Sequence, residues 1–254
     1  MTQDYFVYKA MRIRVINPNT TSRMTELIGN AARAVACVGT EVVAVNPSFG
    51  APSIECHHDD AWAAAGVTEQ VRLGEAEGAD AYVIACFGDP GLHAARELAR
   101  GPVIGIAEAA FHAATLLATG FSVVTTLSRT CVIAEHLLLQ YGFERRCKGI
   151  HGTDIAVLEL DDPASDAYAR IRDAAAGALQ RDRSGAIVLG CAGMADLCRR
   201  LQRELGVPVI DGVAAAVKLA ESLVTLGLGT SKRGDYAAPL AKPYVGIAAP
   251  FSPR

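Results

Sequence analysis

Short runs of β-branched and aliphatic residues alternate with longer stretches whose apolar positions recur every three or four residues. The run Arg12-Ile13-Arg14-Val15-Ile16 stops at a polar turn, Asn17-Pro18-Asn19-Thr20. Met24, Leu27, Ile28, Ala31, Ala32, Val35 and Val38 then predict a helix, with Thr21 or Ser22 as N-cap and Gly39 as its stop. Thr40-Glu41-Val42-Val43-Ala44-Val45 reads as the next strand. A loop with two prolines comes next, then a helix rich in Ala and Glu near residues 58–77, interrupted by Gly66. Ala81-Tyr82-Val83-Ile84-Ala85 is a third strand leading into Cys86. A short helix near 91–99 precedes a fourth strand, Gly101-Pro102-Val103-Ile104-Gly105-Ile106. Strands that alternate with helices predict a parallel sheet, because each parallel crossover needs a long connection.

The pattern then begins again. Phe121-Ser122-Val123-Val124 ends at Thr125-Thr126, and residues 128–141 predict a helix stopped by Gly142. A strand is expected within 150–160, and a helix over 164–180 with Tyr168, Ile171, Ala175, Ala178 and Leu179 on one face. Ala186-Ile187-Val188-Leu189 leads into Cys191, and Val207-Pro208-Val209-Ile210-Asp211 is the last strand. A final helix aligns Val213, Val217, Ala220 and Val224 and runs to about Gly227. From Ser231 onward there is no clear period, and this tail is expected to pack loosely or to meet another subunit.

The two halves superpose in sequence. Cys86 lies 15 residues before Gly101, and Cys191 lies 15 before Gly206. Upstream, Asn17 precedes Cys86 by 69 residues and Thr125 precedes Cys191 by 66. A repeat of roughly 105 residues implies two similar units. The fold class expected is α/β, with two pseudosymmetric lobes that each hold a mainly parallel sheet flanked by helices.

Composition narrows the function. Of 254 residues, 51% are hydrophobic and 20% charged, which suits a chain with a real core. A net charge of −3 offers no basic field for nucleic acid. No apolar run approaches a membrane span, and the first residues carry no apolar signal segment, so a cytoplasmic location is expected. The seven cysteines are scattered without a C-x-x-C pair, which argues against a disulfide framework or a zinc site. No metal is expected.

Ligands of open α/β sheets sit beyond the carboxyl ends of the strands, where Cys86 and Cys191 both fall. Twofold-related lobes would set them on opposite walls of one cleft. Matched thiols there suit inversion of a carbon acid: one base takes a proton from one face and a conjugate acid returns one to the other. Helix N-termini after each cysteine are expected to favour the thiolate, and Gly88 and Gly193 to let the backbone approach a developing enolate. Asn17, Ser53, Thr125, Thr126 and Glu108 complete the expected rim. Turn and cap chemistry explains Asn17 and the threonines equally well, and a helix-start position explains Glu108, Asp89 and Asp196. His93, His112 and His136 read as structural, and His57-His58-Asp59-Asp60 as the start of a solvated helix.

Taken together, these residues resemble the aspartate/glutamate racemase superfamily, and within it the hydantoin racemase branch. The markers are residues 15–20, 52–55, 84–91, 104–108, 124–126, 189–194 and 208–213, in that order. The resemblance implies a cofactor-independent racemase acting at C5 of a five-membered cyclic ureide, with Cys86 and Cys191 catalytic. It places substrate contacts at Asn17, Ser53, Phe87, Gly88, Thr125, Thr126, Ala192 and Gly193. It also implies a homo-oligomer and a C-terminal helix that returns to the first lobe. Lobe one would then be 11–110 plus about 214–235 and lobe two 111–213, with an extension over 1–10 and a tail over 236–254.

Amino-acid racemases of the superfamily carry Asn-Thr after the first cysteine and Thr-His or Thr-Glu after the second. Here Phe87-Gly88 and Ala192-Gly193 stand there, which suits a neutral, flatter substrate. The run around Cys86 and residues 106–110 look most like the allantoin-specific members, ahead of racemases of 5-substituted hydantoins in general. Two other readings stay open: a malonate decarboxylase or maleate isomerase on the same fold, and a non-catalytic two-lobed ligand-binding protein.

Overall fold

The computed structural model describes residues 10–161 and 165–253; the expected N-terminal extension lies, apart from residue 10, outside the described residues. In the first half, β1 (Met11–Ile16), β2 (Thr40–Val45), β3 (Ala81–Ile84) and β4 (Val103–Gly105) alternate with α1 (Ser22–Val35), α2 (His57–Glu77) and α3 (Leu92–Leu98). Helix α4 (Ile106–Leu117) leads into the second half. There β5 (Phe121–Thr125), β6 (Cys147–Gly152), β7 (Ala186–Leu189) and β8 (Val209–Ile210) alternate with α5 (Cys131–Tyr141), α6 (Ala167–Asp182) and α7 (Cys198–Leu205), and α8 (Gly212–Thr225) closes the series.

Two four-stranded sheets result, in the orders β2-β1-β3-β4 and β6-β5-β7-β8, with every strand pair parallel. The expected α/β architecture with two pseudosymmetric sheets is therefore present. Register makes the symmetry residue-specific. Ile16 pairs with Ile84 in the first sheet and Val124 with Leu189 in the second. The next residue of each central strand is Asn17 or Thr125, and two residues past β3 and β7 stand Cys86 and Cys191.

The strands β3, β5 and β7 are nearly all apolar because helices cover both of their faces. Every residue of β3, β5 and β7 is buried. The helix that leaves each half packs across the molecule. Ala107, Ala110, Phe111 and Ala114 of α4 join Phe121, Val123 and Val188 of the second sheet. Val213, Ala216, Val217 and Ala220 of α8 join Ile13, Val15, Val83 and Ile104 of the first. The two helices cross at their N-termini, where a Cβ on Gly212 would lie 2.5 Å from the Ile106 carbonyl oxygen, so only glycine fits. Phe111 anchors this junction, stacked on Phe121 at 5.5 Å and edge-on to Phe87 at 5.6 Å. Such pairs add about 0.5–1.5 kcal/mol each beyond burial, and they seat Phe87 beside Cys86.

Local departures from the sequence reading have physical causes. Helix α2 runs unbroken through Gly66, because the missing side chain makes room for Pro47, whose ring atoms would lie 2.8 Å from a Cβ there. Helix α1 ends at Val35, which leaves Val38 fully exposed rather than on its apolar face. The strand expected within 150–160 is centred earlier, over Cys147–Gly152, and a 3-10 turn fills Val157–Asp161. The aperiodic tail is anchored to the first half. Lys232 donates to the carbonyls of Arg96 and Glu97, Arg72 donates to that of Pro250, and Phe251 packs edge-on against Phe49. Among the described residues, no helix is long and apolar enough to cross a membrane.

Candidate active site

Between the carboxyl ends of the two sheets lies a cavity of about 70 Å³. Its wall includes Asn17, Cys86, Phe87 and Gly88 from the first half and Thr125, Thr126, Cys191 and Ala192 from the second. The two cysteine turns match. Asp89 N–H donates to the Cys86 carbonyl at 3.0 Å, and Met194 N–H donates to the Cys191 carbonyl at 3.1 Å. The third residue of each turn is glycine beside the sulfur. A Cβ on Gly88 would lie 4.0 Å from Cys86 Sγ, and one on Gly193 would lie 3.7 Å from Cys191 Sγ. Of the two, Gly88 lies on the cavity wall.

Hydrogen bonds hold the central strand ends rigid. Thr125 Oγ1 donates to the Gly190 carbonyl at 2.9 Å, clamping β5 to the loop that carries Cys191. Gly190 must be glycine, since a Cβ would meet Thr125 Cβ at 2.6 Å. Asn17 Nδ2 donates to Asn19 Oδ1 at 2.8 Å and to Thr25 Oγ1 at 3.0 Å, stitching the 17–20 turn onto α1.

The expected thiolate activation at Cys86 is not what the structure shows. Helix α3 begins only at Leu92, six residues beyond the sulfur. Burial pushes the Cys86 thiol up to about 12; the Gly88 N–H opposes this, while charge on Cys191, Asp60 and Asp89 adds to it. Cys191 stands at the N-cap of a 3-10 turn, Ala192–Leu197, nearer to the expected arrangement. Charge on Cys191 adds to the rise at Cys86, so the two sulfurs are close enough to sense each other.

Three expected contacts stand elsewhere. Glu108 lies in the first turn of α4, turned away to an ion pair with Arg96 of α3, and does not line the cavity. Ser53 is half-buried outside the wall, to which its neighbour Ile54 contributes instead. Gly193 sits beside the Cys191 sulfur, yet it lines a groove on the far side of the turn with Leu27, Ala31 and Arg199. His93 and His112 are structural, bonding Tyr236 and Gln140 or packing on Phe143. Asp89 does not cap its own helix: it caps α4 from a distance, bonding Ala107 N–H at 3.1 Å and Glu108 N–H at 3.0 Å. The Asp196 side chain lies outside the described residues.

Sequence reasoning missed Asn19, Asp60, Ile133 and Val157 on the wall. Asn19 belongs to the same polar turn as Asn17, and that turn is the signal that could have found it. Asp60 sits in an acidic first turn of α2 that carries no period and reads as solvated. No Lys, Arg or His lines the cavity among the described residues.

Residues 13–220 match the family model of the Asp/Glu/Hydantoin racemases. The chain is 47% identical over 241 residues to the hydantoin racemase of Pseudomonas sp. (strain NS671), covering 95% of this chain and 97% of that one. The structure of an allantoin racemase from Klebsiella pneumoniae shares 59% identity at a TM-score of 0.94, covering 96% of this chain and 100% of that one. An allantoin racemase from Pseudomonas fluorescens shares 43% identity at a TM-score of 0.90, covering 93% and 100%.

Proposed function

The chain belongs to the Asp/Glu/hydantoin racemase family, and from that premise we propose that it inverts C5 of allantoin by proton transfer between Cys86 and Cys191. The activity class is a racemase of hydantoin- and allantoin-type cyclic ureides. The observation that carries the finer reading is the pair of matched cysteine turns at one cavity, whose lining holds no cationic side chain among the described residues. An α-amino acid would bring a carboxylate with no counter-ion there, whereas a neutral ring needs none.

C5 lies next to a ring carbonyl. One sulfur, as thiolate, takes the C5 proton, and the electron pair moves into the carbonyl to form an enolate. The opposing thiol gives its proton to the other face of C5, and its sulfur is left as the thiolate. The pair ends with the same number of protons and exchanged roles, ready for the opposite enantiomer. Burial raises the Cys86 thiol, which favours its neutral form and suits it to the acid role in one direction. In this reading a backbone N–H of the Cys86 turn, which lines the cavity, meets the enolate oxygen.

A homo-oligomer working in the cytoplasm without a cofactor belongs to the same reading. So does a first lobe completed by the C-terminal helix, for which the packing of α8 on the first sheet is the support. The runner-up is a broader racemase of 5-substituted hydantoins, favoured by the likeness to the Pseudomonas sp. enzyme. The test tracks optical rotation of single enantiomers of allantoin and of 5-alkyl hydantoins, with no cofactor added. Faster decay for allantoin supports the proposal, faster decay for the alkyl rings supports the runner-up, and buffer-rate decay of both sinks the two.

A further inference from the structure

Most polar side chains of the cavity are already committed to the protein. Both ends of the Asn17 amide are bonded, with Oδ1 accepting from Asn19 N–H at 3.3 Å, and Asn19 Nδ2 donates to Met24 Sδ at 3.1 Å. Thr125 and Thr130 hydroxyls donate to the carbonyls of Gly190 and Leu127. Asp60 differs. Among the described residues it is the only acidic side chain on the wall, and no donor among them reaches its carboxylate. It stands beside the first cysteine turn: a Cβ on Gly88 would lie 3.4 Å from Asp60 Oδ1 and 4.0 Å from Cys86 Sγ.

We propose that Asp60 is a substrate-binding residue that accepts the N–H groups of a ureido arm on ring C5, and thereby sets the preference for ureido-bearing over alkyl-bearing rings. This rests on the racemase reading above. A carboxylate accepts two parallel N–H bonds from a planar donor pair, the geometry a urea presents. Burial raises the Asp60 carboxyl above the ordinary range, against a smaller opposing effect of His57. Arriving N–H donors favour the ionised form and offset that desolvation. An alkyl arm brings no donor and leaves the half-buried carboxylate unsatisfied as the cavity fills.

The experiment measures kcat/KM for allantoin and for 5-isopropylhydantoin in the wild type and in Asp60→Asn and Asp60→Ala. Loss of charge-assisted bonds predicts that the allantoin-to-alkyl ratio falls roughly 10- to 100-fold, more in the alanine variant. An unchanged ratio, whether both substrates slow together or neither does, overturns the assignment of Asp60. If the wild type racemises neither ring, the racemase reading itself fails and takes this inference with it. Deuterium exchange at C5 of the alkyl ring is measured in parallel, and its persistence shows that the two thiols still work in each variant.

Discussion

The two halves cap their connecting helices with a carboxylate on the same pair of backbone donors, yet the carboxylate comes from different places. In the second half, Asp211 is the N-cap of α8 and accepts from Val213 N–H at 2.9 Å and Ala214 N–H at 3.2 Å. In the first, the N-cap of α4 is Gly105, and Asp89 of the cysteine turn supplies the carboxylate to Ala107 and Glu108. Gly105 must lack a side chain, because its Cβ would overlap the Asp89 carboxylate. Asp89 also takes a hydrogen bond from Tyr141 of α5 at 2.9 Å and holds φ at 45°. Its counterpart in the second cysteine turn is Met194, fully buried among apolar side chains. The Cys86 turn is thus welded to two helices by a buried acid, whereas the Cys191 turn is held by packing alone at that position. A repeat can keep its geometry while the chemistry that enforces it moves from one residue to another.

The largest expected effect tests the symmetry at the sulfurs. Cys86→Ser and Cys191→Ser should each lower racemisation of allantoin by about 10³-fold, within the range for a lost acid or base. Each single variant should still exchange the C5 deuterium of one enantiomer, a different one in each case. Near-normal turnover in both would break the two-thiol comparison.

Next comes the weld. Asp89→Ala leaves three donors without their acceptor and should cost about 3 kcal/mol in urea unfolding, against about 1 kcal/mol for Asp211→Ala. Adding Gly105→Asp to Asp89→Ala moves the cap to the position it has in the second half. It should recover about 1 kcal/mol of stability without restoring activity, because the tie to the Cys86 turn is still missing. Equal losses at Asp89 and Asp211 would show that the weld adds nothing.

The smallest effect is in pH. Burial pushes the Asp89 carboxyl up to about 7, despite the bonds from Glu108, Ala107 and Tyr141. Its folded value lies above its unfolded one, so between about pH 4 and 7 the folded chain holds a proton that the unfolded chain has released. The stability this contributes is full below about pH 4 and is lost as pH rises through 7. The advantage of the wild type over Asp89→Asn in urea midpoint should therefore shrink from pH 4.5 to pH 7.5. A flat difference for Asp89→Asn would place its ionised form at ease in the core.

Much of the fold was legible because its signals are local. Thr40–Val45 and Ala186–Leu189 are strands bounded where their apolar runs are bounded, and Gly142, at φ 77°, ends α5 as a left-handed cap should. Equal offsets from each cysteine to the next strand were visible as spacing alone. Gly66 misled because a glycine that admits Pro47 looks, in one dimension, like a glycine that breaks a helix. Glu108 misled for a related reason: which way a first-turn acid points depends on Arg96, twelve residues upstream on another helix.

By itself, the sequence determined a doubled α/β pattern with a cysteine two residues past a strand end in each half, since alternation and spacing are properties of the chain. Only the tertiary structure decided that Asp60 enters the cavity, that Glu108 leaves it, and that Asp89 rather than Gly105 caps α4. Those outcomes depend on side chains meeting from elements far apart in sequence. The direction of such an approach is set by helix packing and leaves no local mark.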